Sequence, residues 1–297
     1  MRAVQFESYG PPGVVHVADI PEPHAGPDTI RIAVRASGLS AGDARIRSGA
    51  LREVVPIAFP YRTGFDAAGV VDEIGAGVTG VRVGDPVYGW TTSAGRTANA
   101  DFAVLTVWAP KPPAWSWANA GGAAGAIETA VRVLDRLAVA PGRTVLIQGA
   151  AGGVGTVTVQ LALARSAHVI GTASAPNHDR LRTLGAVPVT HGPGLPDRVR
   201  ALSPAGVDAV IDCAGGALPD LIAIAGDPSR VVTIADLTAA DHGVHLSRGP
   251  LAEHALSDPA VPGLDLHVAA EFPLGRASAA HALSDTRHAR GKIVLVH

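Results

Sequence analysis

The chain has 297 residues, 47% of them hydrophobic and 17% charged, with a formal net charge of −2. That composition describes a globular protein of about two domains and excludes a disordered one. The near-neutral balance leaves no basic footprint for nucleic acid or an anionic membrane, and no apolar run approaches the ~20 residues of a membrane span. A single cysteine, Cys213, excludes intrachain disulfides and a multi-cysteine zinc site. The start, Met1-Arg-Ala-Val-Gln-Phe-Glu7, places a glutamate where a signal peptide needs an apolar core, so a cytoplasmic location is expected.

The first 110 residues are rich in valine, glycine and proline. Short alternating runs, such as 30–35 and 68–75, read as strands. Turn signals at Tyr9-Gly-Pro-Pro-Gly13, Pro21-Glu-Pro23, Gly75-Ala-Gly77 and Gly84-Asp-Pro86 break them, which predicts a small β-barrel-like domain with little helix. The texture changes after Pro110-Lys-Pro-Pro113. Residues 118–137 are alanine-rich and helical, and strand–helix units follow. Strands are expected at 145–148, 168–172, 209–212 and 231–234, with helices at 156–164 and at 177–184, the latter stopped by Gly185. Alternation of this kind predicts an α/β fold with a parallel, doubly wound sheet of the Rossmann type. In the tail, strands at 266–269 and 292–296 flank a helix at 277–285, and this part is expected to return to the first domain.

The segment Val145-Leu-Ile-Gln-Gly-Ala-Ala-Gly-Gly-Val-Gly155 carries the strongest chemical signal. A buried strand, a turn of small residues and a helix start together present backbone N–H groups to a pyrophosphate. The turn reads Ala150-x-Gly152-x-x-Gly155, with alanine at the first position of the usual fingerprint. Ala151, Gly152, Gly153 and Val154 are the candidate phosphate contacts. A dinucleotide site that prefers NAD places an acid about 20 residues further on, at the end of the second strand. Here Thr172, Ala173 and Ser174 stand there, so a 2′-phosphate meets no carboxylate, and Ser174 with Arg180 can bond it. This favours NADP(H), with NAD the open alternative and a solvated surface charge the plain reading of Arg180. Cys213 with Ala214, and Ile234 with Ala235, follow strand ends, where ligands of open α/β sheets bind. For Cys213 a small buried residue fits better than a reactive thiol. His242 and His245 lack a carboxylate–histidine set and read as solvated loop or strand.

Several ordered stretches resemble the medium-chain dehydrogenase/reductase superfamily, in its zinc-free quinone oxidoreductase (zeta-crystallin-like) branch. They are Met1-Arg-Ala-Val4, Val34-Arg-Ala-Ser-Gly-Leu-Ser-Ala-Gly-Asp43, Gly64-Phe-Asp-Ala-Ala-Gly-Val-Val71, Val83-Gly-Asp-Pro-Val-Tyr-Gly89, Gly149–Gly155, Leu184-Gly-Ala186, Val207-Asp-Ala-Val-Ile-Asp-Cys-Ala-Gly-Gly216 and Arg290-Gly-Lys-Ile-Val-Leu295. The resemblance implies a GroES-like β-barrel-like substrate domain over 1–118, completed by 258–297. It implies a Rossmann domain over 119–257 and a cleft between the two holding NADP(H). Zinc-dependent relatives carry a cysteine in the segment that reads Gly38-Leu-Ser-Ala-Gly-Asp43 here, and Gly-His-Glu where this chain has Gly64-Phe65-Asp66. Ser40 and Phe65 therefore stand at ligand positions, and without a Lewis acid alcohol oxidation loses its alkoxide stabilisation. A reductase is implied, passing hydride to a quinone or an α,β-unsaturated carbonyl compound. A redox-neutral cyclase or isomerase, or a cofactor-binding non-enzyme, is the alternative.

The family also directs attention to Thr129 and Lys292 as cofactor contacts. Their plain readings are a helix hydroxyl bonding its own backbone and an exposed lysine opening an edge strand. Ser40 and Asp43 are the catalytic candidates, against a reading as turn-capping residues. Tyr61, Phe65 and Trp90 are candidates for an apolar substrate wall, against plain core packing. Relatives carry Asn-Pro where this chain has Ser40-Ala41, and often a clamp arginine where it has Pro176. Pro259 and Pro262 forbid the long helix that relatives place before the last strands. A small-molecule partner is expected, with no nucleic acid and no membrane; a homodimer is compatible with the family.

Overall fold

A computed structural model describes residues 1–92, 96–286 and 289–297. In chain order its first elements are β1 (Arg2–Phe6), β2 (His16–Asp19), β3 (Ile30–Leu39), α1 (Ala41–Arg47), β4 (Tyr61–Arg62), β5 (Asp66–Ile74), β6 (Pro86–Trp90), β7 (Phe102–Leu105), β8 (Val107–Pro110) and α2 (Trp117–Gly121). Next come α3 (Ala124–Arg136), β9 (Thr144–Gln148), α4 (Gly155–Ala164), β10 (His168–Thr172), α5 (His178–Thr183), β11 (Val187–Val189) and α6 (Leu195–Leu202). The chain closes with β12 (Ala209–Asp212), α7 (Leu218–Ala225), β13 (Val231–Thr233), β14 (His245–Leu246), β15 (Val268–Pro273), α8 (Ala277–Asp285) and β16 (Lys292–Val296).

These elements form two compact units, Met1–Gly125 with Leu266–His297, and Ala126–Asp265. The crossings fall later than the 118/119 and 257/258 expected from the sequence, for local reasons. Gly121 packs so closely on Ala36 that a Cβ there would meet its backbone, and Gly125 N–H bonds Asp66 Oδ2 at 3.1 Å, which keeps the chain in the first unit up to that point. At the second crossing Asp265 N–H bonds Gln160 Oε1 at 2.7 Å, holding the approach within the second unit. The expected helix 118–137 is found as two, α2 and α3, with Gly122 and Ala123 between them.

The first unit is built on a mixed sheet in the order β15-β16-β3-β5-β6-β8, with β7 also on β3, beside a three-stranded sheet β2-β1-β4. Alternation explains β3, where Ile30, Ile32 and Val34 face a core shared with Val71, Val87 and Leu105. Register shifts between Arg31 and Ile32 and between Val34 and Ala36 bend the strand as bulges do. The tail helix matches its expected span. Its first strand instead runs Val268–Pro273, because it pairs in parallel with β16 as far as Pro273 and Val296. That makes β16 an internal strand between β15 and β3, and overturns the reading of Lys292 as the start of an edge strand.

The second unit carries a six-stranded parallel sheet in the order β11-β10-β9-β12-β13-β14. The sequence signals the middle four strands and misses the short outer ones, β11 and β14. Leu146, Ile170, Val210, Val231, Leu218 and Leu221 lie in one core. Pro262 lies in a 3-10 turn, Val261–Gly263, and Pro259 in the link between it and the preceding 3-10 turn, Glu253–Ser257. Among the described residues no helix is long and apolar enough to cross a membrane.

Candidate active site

In the second unit the strand order reverses between β9 and β12, and open α/β sheets bind ligands at the carboxyl ends beside such a switch. The turn after β9 is built there. Gly149 takes φ +74°, a conformation costly for residues with a Cβ. Thr172 of the neighbouring strand holds it: its Oγ1 accepts Gly149 N–H at 3.0 Å and donates to Gln148 Oε1 at 2.6 Å, while its carbonyl accepts Ala150 N–H at 3.0 Å. Thr172 is buried with its hydroxyl fully used, so it positions the turn and does not offer itself to a ligand. Alanine at the first fingerprint position is matched by a glycine across from it, because a Cβ on Gly171 would lie 2.8 Å from that of Ala150. Gly155 is fixed by packing, since a Cβ there would collide with the Gly149 carbonyl. Gly152 faces space instead: its added Cβ meets only the Gly149 oxygen, at 3.3 Å.

The helix start then leaves donors over. Thr156 N–H bonds Gly152 O at 2.9 Å, while the N–H groups of Ala151, Gly153, Val154 and Gly155 find no acceptor among the described residues. Unsatisfied donors at the positive end of a helix dipole suit a phosphate. On the other side of the switch, Cys213 N–H bonds Gln148 O at 3.0 Å, and a Cβ on Gly149 would lie 3.0 Å from that of Ala214. Buried Asp212 ties the next turn together, accepting Ala214 N–H at 3.0 Å, Gly215 N–H at 2.8 Å and the Thr233 hydroxyl at 2.7 Å. Ile234 N–H bonds Asp212 O, and Ala235 N–H bonds Thr233 Oγ1. The predicted residues 151–154, 213–214 and 234–235 thus share one rim. Burial pushes the Cys213 thiol up to about 12, the Asp212 charge pushes the same way, and a hydrogen bond from Thr158 opposes both. No reactive thiol results.

Other candidates are placed differently. Ala173 is buried, with its N–H on Val189 O, whereas Ser174 is exposed and accepts from Asn177 Nδ2 at 3.0 Å. Arg180 pairs with Asp265 at 3.4 Å, and no hydrogen bond joins it to Ser174. Thr129 bonds a neighbouring side chain. Its hydroxyl donates to Glu128 Oε2 at 3.2 Å, within a buried Glu128–Arg132 pair that also reaches Ser247 and the Ala252 N–H. Lys292 is mostly buried, with Nζ 3.8 Å from Asp66 Oδ2. His242 ends a 3-10 turn and His245 lies in β14.

The first unit gathers the remaining candidates and adds one. Ser40 caps α1: its Oγ accepts Asp43 N–H at 3.2 Å and donates to Asp43 Oδ2 at 2.6 Å, and Oδ2 also accepts Ser40 N–H at 2.9 Å. This capping box uses the hydroxyl proton, so Ser40 has none left to give a substrate carbonyl. Arg96, which the sequence reading passed over, reaches Asp43 Oδ1 with Nη1 at 3.1 Å and lays its guanidinium over Phe65, 5.3 Å from the ring centroid. Phe65 in turn stacks on Trp90 at 6.1 Å and 13°. Trp90 is fully buried and forms core behind Phe65, while Tyr61 packs on Phe6 at 5.3 Å. Burial pushes the Asp43 carboxyl up, but the Arg96 charge and the Ser40 hydrogen bonds outweigh it and hold the group below the ordinary carboxylate range. Burial raises Tyr61 above the ordinary phenol value.

Residues 26–142 match the alcohol dehydrogenase GroES-like domain and residues 153–255 the zinc-binding dehydrogenase family. The chloroplastic quinone-oxidoreductase QR1 of Triphysaria versicolor is 35% identical over 228 residues, covering 72% of this chain and 68% of that protein. The chain belongs to the medium-chain dehydrogenase/reductase superfamily, in its quinone oxidoreductase branch. By that membership it is an oxidoreductase. An NAD-dependent alcohol dehydrogenase superposes with a TM-score of 0.86 at 28% identity, all of both chains being covered. The mycobacterial protein Rv1454c, solved with NADPH, does so with a TM-score of 0.81 at 26% identity, again over the full length of both. At two of the positions where the superfamily's zinc-dependent members carry ligands this chain has Ser40 and Phe65, and Asp66 stands at a third. The Ser40 hydroxyl is spent on its cap, Phe65 has no donor atom, and among the described residues no group of three or more His, Cys, Asp or Glu is placed to hold a metal.

Proposed function

We propose that the protein is a zinc-independent reductase that uses NADPH to reduce a quinone or the carbon–carbon double bond of an α,β-unsaturated carbonyl compound. The observation that carries this reading is the turn after β9, whose N–H groups at Ala151, Gly153 and Val154 lack acceptors among the described residues, followed at the end of β10 by Ala173 and Ser174 in place of an acid. These residues fit a nicotinamide dinucleotide. Ala151 to Val154 would take the pyrophosphate, and Cys213, Ala214, Ile234 and Ala235 would flank the ribose on the nicotinamide side. Ser174, with Arg180 once it releases exposed Asp265, would hold the 2′-phosphate. When bound, the cofactor supplies a hydride. Thr129 sits in a charged network that fixes α3, and Lys292 is occupied by Asp66, so neither is assigned a direct contact.

The name of the plant relative and the NADPH seen in the mycobacterial neighbour support the reading; the NAD-dependent neighbour keeps NAD as the competitor. The test adds quinones and enones to the protein with NADPH or NADH and follows loss of the reduced nicotinamide absorbance. Turnover with NADPH preferred, and deuterium from labelled NADPH recovered in product, is the expected result. Tight NADPH binding without turnover on a broad panel of both classes refutes the reductase and favours a redox-neutral role.

A further inference from the structure

We propose that the Arg96 guanidinium is the electrophilic group of this enzyme, binding the carbonyl oxygen of a conjugated ketone or quinone. The proposal rests on the reductase reading above. Two residues at the family's zinc-ligand positions, Ser40 and Phe65, border Arg96. Ser40 joins it through Asp43, by hydrogen bonds of 2.6 and 3.1 Å, and Phe65 lies beneath it at 5.3 Å. A cation therefore borders both residues that the resemblance puts at zinc-ligand positions.

The surroundings keep that cation in place. Asp43 is 1% exposed and ionised, and it is oriented by the α1 capping box. Phe65 cannot tilt freely because buried Trp90 stacks behind it. A guanidinium over an aromatic face gains cation–π attraction, which grows as water is excluded. The Arg96 side chain itself is 24% exposed, so the group is held without being sealed in. Asp43 meets it through Nη1, and a guanidinium carries five N–H groups, so one carboxylate oxygen does not exhaust its donors.

The reaction balances with this assignment. The substrate gains a C–H bond at its β-carbon with the two electrons of a hydride from the reduced nicotinamide, which is oxidised. The π pair of the C=C bond moves toward the carbonyl oxygen, and Arg96 N–H groups bind the resulting enolate. A proton from solvent then adds at the α-carbon, or at oxygen in a quinone. Charge appears on the oxygen only as the hydride arrives, so a donor preplaced there favours the transition state over bound substrate. Asp43 and Ser40 act as positioning residues for Arg96.

The test compares wild type with R96M and R96K in the full chain. R96M should lose about 10²-fold or more in kcat/KM, as expected for removal of an oxyanion donor, with NADPH affinity close to wild type; its melting temperature should fall, because buried Asp43 loses its cation, and thermal melts establish that it is folded at the assay temperature. R96K should fall between, since lysine keeps charge but not the planar fork, and added guanidinium ion should restore part of the R96M rate. A second readout needs no turnover: wild type without cofactor should bind 4-nitrophenol as its phenolate, seen in the visible spectrum, and R96M should not. An R96M enzyme that keeps its kcat/KM, or phenolate binding equal in both proteins, overturns the arginine assignment alone. Wild type that reduces neither substrate class refutes the reductase reading, and the phenolate titration still decides whether Arg96 stabilises an oxyanion.

Discussion

Replacing His281 by leucine should remove much of the acid sensitivity of the fold. His281 lies on α8, which packs on α1, and is 0% exposed with no hydrogen-bond partner for either ring nitrogen among the described residues. Burial pushes its imidazole from 6.5 down to about 4; Arg47 pushes the same way, while Asp43 and Asp285 oppose. Between those two values the unfolded chain binds a proton that the folded chain refuses, so stability falls as pH drops from 6.5 toward 4 and is untouched above 6.5. A gap of about 2.5 pH units, at about 1.4 kcal/mol each, comes to about 3.5 kcal/mol lost once the window has been crossed. His297 is held down to about 4, again chiefly by burial, and adds to the same window. The depressed Asp43 carboxyl acts elsewhere, because its contribution is lost only as pH falls below the ordinary 3.8. Urea unfolding of wild type and H281L at a series of pH values from above 6.5 to just above 4 gives the slope directly. H281L should lose about half of it, and at neutral pH should match or exceed wild type, since a buried unpaired polar group has been removed. An unchanged slope in H281L refutes the assignment to His281, and a wild type with no slope in this window refutes the burial argument altogether.

Two further outcomes separate packing from binding around the phosphate turn. G152V should fold, because its Cβ meets only the Gly149 oxygen, yet lose about 10²-fold or more in NADPH affinity by filling phosphate space. G155A should do the reverse and cost about 2 kcal/mol by driving a methyl into the Gly149 backbone. Fluorescence titration and thermal melts distinguish them, and unchanged NADPH affinity in G152V contradicts the turn's role. The Cys213 thiol, pushed up to about 12, should carry roughly a thousandfold less thiolate than a free thiol of 9.0 at mildly alkaline pH and so react much more slowly with a disulfide reagent; labelling of the folded protein as fast as a free thiol rules that out.

The sequence makes plain those features whose causes are local. Strand 168–172 and helix 277–285 appear where apolar spacing and stop signals put them, because each is long enough to carry a period. The outer strands β11 and β14 have three and two residues, too short for any period, and exist only because β10 and β13 offer partners. Lys292 is misread for a related reason. Nothing near it in the chain announces that Val268–Pro273 will pair on its outer side, so an internal strand looks like an edge. Ser40 and Asp43 do carry a local signature, a serine followed three residues on by an acid, and the structure gives that signature its ordinary meaning as a cap.

Arg96 has no such signature. It lies among Gly95, Thr97 and Ala98, a stretch with neither periodicity nor motif, and its partners are 53 and 31 positions away at Asp43 and Phe65. The same two departures from the family, Ser40 and Phe65, that read in sequence as the loss of a metal become, once folded, the immediate surroundings of a cation. An aromatic ring at a former ligand position would gain little from an empty space beside it, whereas under a guanidinium it supplies a face that holds charge without quenching it. The substitutions therefore make joint chemical sense only with Arg96 included. For that reason R96M is a sharper probe of how this enzyme polarises its substrate than any change at Ser40, whose removal would loosen α1 and Asp43 together.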